Sequence, residues 1–153
     1  MITVVGIGQP LRGDDSVGWQ LVQALPDREG LHKVLIGDDM TRLLDVLQTD
    51  QAVILVDAVR SSSLPPGTVQ RFDLAQEPDS ENLRFSSHSL DPLQMLKLAR
   101  RLGRSLPAQL VLFAIEGAEF GFSAELSEPV RNGWPLLLGA VENEIRALGV
   151  LGQ

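Results

Sequence analysis

Asp14 and Asp15 stand side by side after a short apolar run and a glycine-rich turn; Asp57 closes a second apolar run, and His88 precedes an amphipathic one. Two carboxylates and one imidazole suit Zn²⁺, Ni²⁺ or another borderline divalent ion, with coordination positions left open for a substrate. A carboxylate in the first turn of a helix is also held in its ionised, ligating form by the helix dipole. Each residue has a competing structural role: Asp14 as a helix N-cap, Asp15 as a solvated first-turn acid, His88 as a loop residue or cap. An acid without a role is unusual at the end of an apolar strand, so Asp57 carries the most chemical weight. Asp14 reads mainly as the cap, while Asp15 stays open between a solvated acid and a ligand. His32, at the start of a strand on the opposite edge, reads as structural.

The elements that must position these groups follow from hydrophobic patterning. Residues 2–5 are Ile-Thr-Val-Val, a β-branched run closed by Gly6-Ile7-Gly8. A helix follows from the aspartates to about residue 25, with Val17, Leu21, Ala24 and Leu25 on one face and Pro26 ending it. A second strand covers residues 31–37. Asp38, Asp39 and Thr41 are cap candidates for a short helix carrying Leu43, Leu44 and Leu47. Residues 52–58, Ala-Val-Ile-Leu-Val-Asp-Ala, lack alternation and read as a central strand covered on both faces. A turn-rich loop leads to a polar strand at 68–73, too close to the third strand for a helical crossover and therefore antiparallel.

After a polar loop at 74–87, a helix at 89–102 with Met95, Leu98, Ala99 and Leu102 inward precedes a last strand at 109–116. Ser127 caps a final helix to about residue 148, with Leu138, Val141, Ile145 and Leu148 inward; Pro135 is expected to bend it or delay its regular start. The expectation is one α/β domain over residues 1–153, a three-layer α/β/α arrangement. Its sheet is about five-stranded and mostly parallel, with one antiparallel edge strand and helices on both faces. In such a sheet, sites form beyond the carboxyl ends of the strands. A six-residue strand is about 20 Å long and the loop at 74–87 can span about 46 Å, so His88 can return to the rim that holds Asp15 and Asp57.

Composition removes several alternatives. The 153 residues carry a net charge of −7, against a general nucleic-acid surface. Lys97, Arg100, Arg101 and Arg104 cluster where cations suit a helix C-terminus. No cysteine is present, which excludes disulfides, thiolate metal sites and a cysteine nucleophile. No signal-peptide pattern is visible, and no apolar run approaches the ~20 residues that span a bilayer, so a cytoplasmic protein without membrane attachment is expected. The glycine turn is not G-x-G-x-x-G, and aspartates at the helix start would repel a pyrophosphate. None of the serines lies in a G-x-S-x-G elbow.

The run Gly6-Ile-Gly-Gln-Pro-Leu-Arg-Gly-Asp-Asp-Ser-Val-Gly18, the block Ile54-Leu-Val-Asp-Ala58 and the block Ser86-Ser-His-Ser-Leu90 together resemble the [NiFe]-hydrogenase maturation endopeptidases. Ile115-Glu116-Gly117, Phe120 and Leu126-Ser127 extend the likeness along nearly the whole chain. Gln9 and Ser16 depart from the family's usual Asn and Gly. The resemblance implies removal of a short C-terminal extension from a hydrogenase large-subunit precursor once nickel has been inserted. Asp15, Asp57 and His88 then occupy the metal-contacting positions, and the metal is nickel carried by the substrate, with zinc or cadmium able to substitute in vitro. Gly6, Gly8, Asp14 and Gly18 serve the turn and cap. Asp38 and Thr41 fall in the substrate-binding segment, which here reads Gly-Asp-Asp-Met-Thr-Arg and lacks the paired glycines of many members, leaving the partner hydrogenase open. The large-subunit precursor is the expected partner, and a monomer the expected state. A non-cleaving, nickel-sensing or precursor-binding chaperone on the same fold is the alternative.

Overall fold

A computed structural model describes residues 1–48, 51–61, 63–75 and 91–151. Five strands, β1 (Ile2–Ile7), β2 (Leu31–Ile36), β3 (Ala52–Val59), β4 (Val69–Asp73) and β5 (Leu110–Glu116), form one sheet in the order β2-β1-β3-β5-β4. All neighbours are parallel except β4, which runs antiparallel to β5 at the edge. The expected three-layer architecture is therefore present.

The unalternating runs of β1, β3 and β5 follow from cover on both faces. Val4, Ile54 and Val56 point to the side of α1 (Val17–Ala24) and α4 (Glu128–Leu151). Val5, Val53 and Leu55 point to the side of α2 (Thr41–Leu47) and α3 (Pro92–Arg101). The period-2 alternation thus distributes apolar residues between two cores, one per face.

β2 and β3 lie on opposite sides of β1, so the chain reverses its direction of winding between β1 and β3. In doubly wound sheets that reversal opens a crevice at the carboxyl edge.

Three expectations about helices change. In α3, Pro92, Leu93, Met95, Leu96 and Ala99 are buried, whereas Leu98 and Leu102 are exposed. At about 100° per residue, Leu96 and Ala99 lie to one side of Met95 and Leu98 to the other, so the inward face is rotated from the expected one. The helix is capped by Asp91, whose carboxylate accepts from the Gln94 amide at 2.8 Å while the Gln94 side chain accepts from the Asp91 amide at 3.1 Å. Pro92 sits at its first position, where no amide donor is required. Second, Pro135 does not delay α4, which is helical from Glu128 onward. Proline removes one donor to the Arg131 carbonyl, and Arg131 is exposed, where water can replace it. Third, neither aspartate of the first turn caps α1, for a reason that lies in the site.

Candidate active site

The turn after β1 is built by backbone-to-backbone contact. A methyl group on Gly6 would fall 2.4 Å from the Gly18 carbonyl oxygen, and one on Gly18 would fall 2.4 Å from that of Val56 and 2.9 Å from that of Ile7. The start of α1 thus rests directly on β1 and β3, closer than any side chain allows. Gly8, with φ of 145°, would bring a methyl to 1.9 Å from the Asp15 carbonyl oxygen and 3.5 Å from its carboxylate. The glycines at 6, 8 and 18 thus leave out Cβ atoms where two strands, the start of α1 and a 3-10 turn at Gly13–Ser16 meet.

Asp14 is fully buried and its carboxylate makes no cap bond to its own helix. It accepts instead from the amides of Ala118 (2.7 Å), Glu119 (2.9 Å) and Ser127 (2.7 Å), and from the Ser127 hydroxyl (2.7 Å). The cap expectation is corrected accordingly. The loop at 117–127 presents donors that out-compete the helix's own amides, and the 3-10 start of the helix aims Asp14 away from them. Ser127 does precede α4, but its hydroxyl donates to Asp14. Backbone bonds complete the join: Asp14 and Gly13 amides donate to Glu119 (2.7 Å) and Ser123 (2.8 Å) carbonyls, and the Ser123 amide donates to Leu11 (3.0 Å).

With Asp14 turned to that loop, Asp15 is left at the switch point beside Asp57. Both are buried, each with 3% of its surface exposed. The Asp57 carboxylate accepts from the Ala58 amide at 2.7 Å. Its proton affinity is nonetheless pushed well above the ordinary carboxylate range, first by burial and then by the charge of Asp15, with Asp91 adding to it and the Ala58 amide opposing. Because α3 leads into β5, which is parallel to β3, its start at Asp91 lies toward the carboxyl edge of the sheet. His88 lies outside the described residues.

In the turns after β1 and β2, Asp38 accepts from the Gln9 side-chain amide, and Thr41 donates its hydroxyl to Asp39 and its amide to the same carboxylate at 3.2 Å. Gln9 therefore ties the turn after β1 to the loop after β2, a use for the longer amide. Thr41 belongs to the first turn of α2, its hydroxyl engaged by Asp39.

A residue that sequence reasoning missed as a polar anchor is Glu116. It is buried at the end of β5 and accepts from the Ser61 amide at 2.8 Å and from the Ser61 hydroxyl. Arg60 stacks over Phe120, 4.3 Å from the ring centroid, and Phe120 fits because Gly117 has no side chain. An acid closing an otherwise apolar strand, the signal that singled out Asp57, was present at Glu116 as well.

Among the described residues no group of three or more His, Cys, Asp or Glu side chains is arranged to hold a metal. Asp15 and Asp57 supply two hard anionic donors, a set that needs further ligands to complete a coordination sphere.

Fold and site define a doubly wound α/β/α protein with a buried acid pair at the switch point. The chain belongs to the hydrogenase maturation protease family, whose HycI model matches residues 20–144. That makes it a maturation peptidase, of a family acting on hydrogenase large-subunit precursors. The match includes Asp57 and begins after the Asp14–Asp15 turn. A putative hydrogenase maturation protease of Methanocaldococcus jannaschii is 26% identical, over 92% of this chain and 96% of the relative. The solved structure of the hydrogenase maturating endopeptidase HybD from E. coli has a TM-score of 0.76 at 24% identity, covering 97% of this chain and 93% of that one. The [NiFe] hydrogenase maturation protease HybD from Thermococcus kodakarensis gives 0.72 at 24% identity, covering 93% and 97%. These two likenesses concern the fold. No helix among the described residues is long and apolar enough to cross a membrane.

Proposed function

We propose that this chain is the endopeptidase that removes the C-terminal extension of a nickel-loaded [NiFe]-hydrogenase large-subunit precursor, with the substrate's own nickel as the recognition element. The observation that carries the proposal is the Asp15–Asp57 pair, two carboxylates buried together at the switch point. Like charges held together out of water repel, and a divalent cation removes that repulsion. A precursor that brings its cation therefore meets a favourable site, whereas an empty one meets only the repelling pair. In this reading Asp15, Asp57 and His88 contact the nickel, which the precursor already holds. Asp38 and Thr41 border the substrate on the β2 side. Zinc or cadmium occupies the same position in vitro. Hydrolysis adds water to the scissile carbonyl, breaks the C–N bond and passes a proton to the departing amine, leaving a new C-terminal carboxylate on the precursor. The protein acts as a monomer in the cytoplasm.

The test is incubation of the purified chain with nickel-loaded and nickel-free precursor, read by mass spectrometry. Loss of the extension from the loaded form alone is expected. Stable association without shortening would replace this reading with that of a non-cleaving chaperone. Asp15→Asn, Asp57→Asn and His88→Ala are each expected to abolish processing with far-UV circular dichroism unchanged. Full activity in all three would overturn the site assignment.

A further inference from the structure

The two loops locked together by Asp14 carry an apolar surface that the fold does not use. Phe122 exposes 89% of its surface and Leu11 51%. Arg12 and Ser123 form a parallel bridge, so Leu11 and Phe122 occupy the next position of the same register. The Ser123 amide to Leu11 carbonyl bond (3.0 Å) and the Gly13 amide to Ser123 carbonyl bond (2.8 Å) fix that pairing. Met1, Leu98, Leu102 and Leu136, the other exposed large apolar residues among those described, belong to the amino terminus, α3 and its end, and α4.

An exposed phenylalanine on a mobile tip needs no explanation, but this loop is held by the four bonds to buried Asp14. Rigid, solvent-facing aromatic surface loses little conformational entropy on association and is the usual composition of a binding hot spot. The surface also adjoins the acid pair: Leu11 lies four residues before Asp15 in the same turn, and the Asp15 amide bonds the Arg12 carbonyl at 3.1 Å. Its exposed charges are mixed, Arg12 and Arg60 beside Glu119 and Glu125, in a chain of net charge −7. The contact is therefore apolar in character.

We propose that Leu11 and Phe122 form a docking surface for an apolar patch on the folded precursor, next to the place where it presents its metal. This rests on the proposed function, and it assigns affinity for the protein partner to residues separate from the acids that meet the metal. Continuity with the acid pair selects this occupant, since Leu11 and Asp15 belong to one turn, closed by the bond from the Asp15 amide to the Arg12 carbonyl.

The experiment measures processing rates of nickel-loaded precursor over a concentration series for the wild-type chain, Phe122→Ala, Leu11→Ala and the remote control Leu136→Ala. Phe122→Ala is expected to raise KM about tenfold or more with kcat within about twofold, with Leu11→Ala in the same direction and Leu136→Ala unchanged. Unchanged KM in both rim variants, or a fall in kcat at constant KM, overturns the proposal. Phe122 makes too little contact for its loss to unfold the chain, and an unchanged melting temperature checks this. Binding of the precursor to immobilised Asp57→Asn chain, with and without Phe122→Ala, separates the two readings. Phe122-dependent binding by a chain whose wild type never cleaves would refute the peptidase reading and leave the docking surface standing. Cleavage by wild type with Phe122-independent binding would do the reverse.

Discussion

Replacing Asp14 with alanine should be among the most destabilising single changes this chain can undergo. The carboxylate is fully buried and takes four donors, the amides of Ala118, Glu119 and Ser127 and the Ser127 hydroxyl, at 2.7–2.9 Å. Ala118 and Glu119 are exposed residues, so their amides can turn to water when the acceptor is removed. Ser127 is buried, and its two donors would be stranded at about 1–3 kcal/mol each. Loss of the charge-assisted bonds to the other two adds to this, while relief from burying a charge subtracts. The balance is a loss of about 3–5 kcal/mol, at the upper end for point substitutions. Asp14→Asn should cost nearly as much, because an amide offers one acceptor and turns a donor toward donors. In urea unfolding, a slope of about 2 kcal/mol/M converts this loss to a midpoint lowered by about 2 M with the slope unchanged. Ser127→Ala in a double-mutant cycle should show strong coupling to Asp14. A loss below about 1 kcal/mol for Asp14→Ala, or additivity with Ser127→Ala, would refute the claim that this carboxylate joins the loop to the turn.

Gly18→Ala places a methyl 2.4 Å from the Val56 carbonyl oxygen and should cost about 2–3 kcal/mol, despite about 1 kcal/mol gained in helix propensity; a neutral or raised melting temperature would refute the close packing. Asp91→Ala removes the carboxylate that accepts from the Gln94 amide, while the residue-91 amide can still donate to the Gln94 side chain; it should cost about 1 kcal/mol, measured by urea midpoint, with Asp91→Ser recovering most of it. Asp57 has a folded-state proton affinity raised by burial and by Asp15, so its protonated form favours folding: that contribution is complete below the ordinary carboxylate value and is lost as pH rises through the raised one. Asp57→Asn keeps the oxygen that accepts from Ala58 and should therefore be more stable than wild type at neutral pH, with the two urea midpoints converging below about pH 4; midpoints that differ equally at all pH values would refute this assignment.

The sheet was legible because central strands covered on both faces leave continuous apolar runs, and because short connections dictate which strands can be parallel. The short link between β3 and β4 correctly identified the antiparallel edge. What local pattern could not show was any contact that depends on distant sequence. Asp14 is indistinguishable from a helix cap in its own neighbourhood, since its partners lie 104 to 113 residues away. Glu116 finds Ser61 across 55 residues. The glycines marked a turn, but their need arises from backbone carbonyls of β1, β3 and the 3-10 turn, which no spacing rule reveals. In α3 the apolar periodicity was right and its rotation wrong. Periodicity alone does not say which edge of an apolar stripe meets the sheet, and Leu98 and Leu102 fell on the outer side.

On the proposed function, stability and processing rest on different groups around one turn. Burying Asp15 and Asp57 together opposes folding, and the arrangement persists because neighbouring contacts over-determine it: glycines that seat the helix start on two strands, and Asp14, which binds the 117–127 loop to the turn. Substitutions should therefore separate into three behaviours. Changes at Gly18 or Asp14 lower stability and carry activity down with it. Asp57→Asn raises stability at neutral pH and abolishes processing. Phe122→Ala leaves stability alone and changes only the concentration of precursor the enzyme needs. Removing bulk from an ordinary packed core lowers stability and activity together, so the opposite signs expected at Asp14 and Asp57 test whether the acid pair is held in place against its own repulsion.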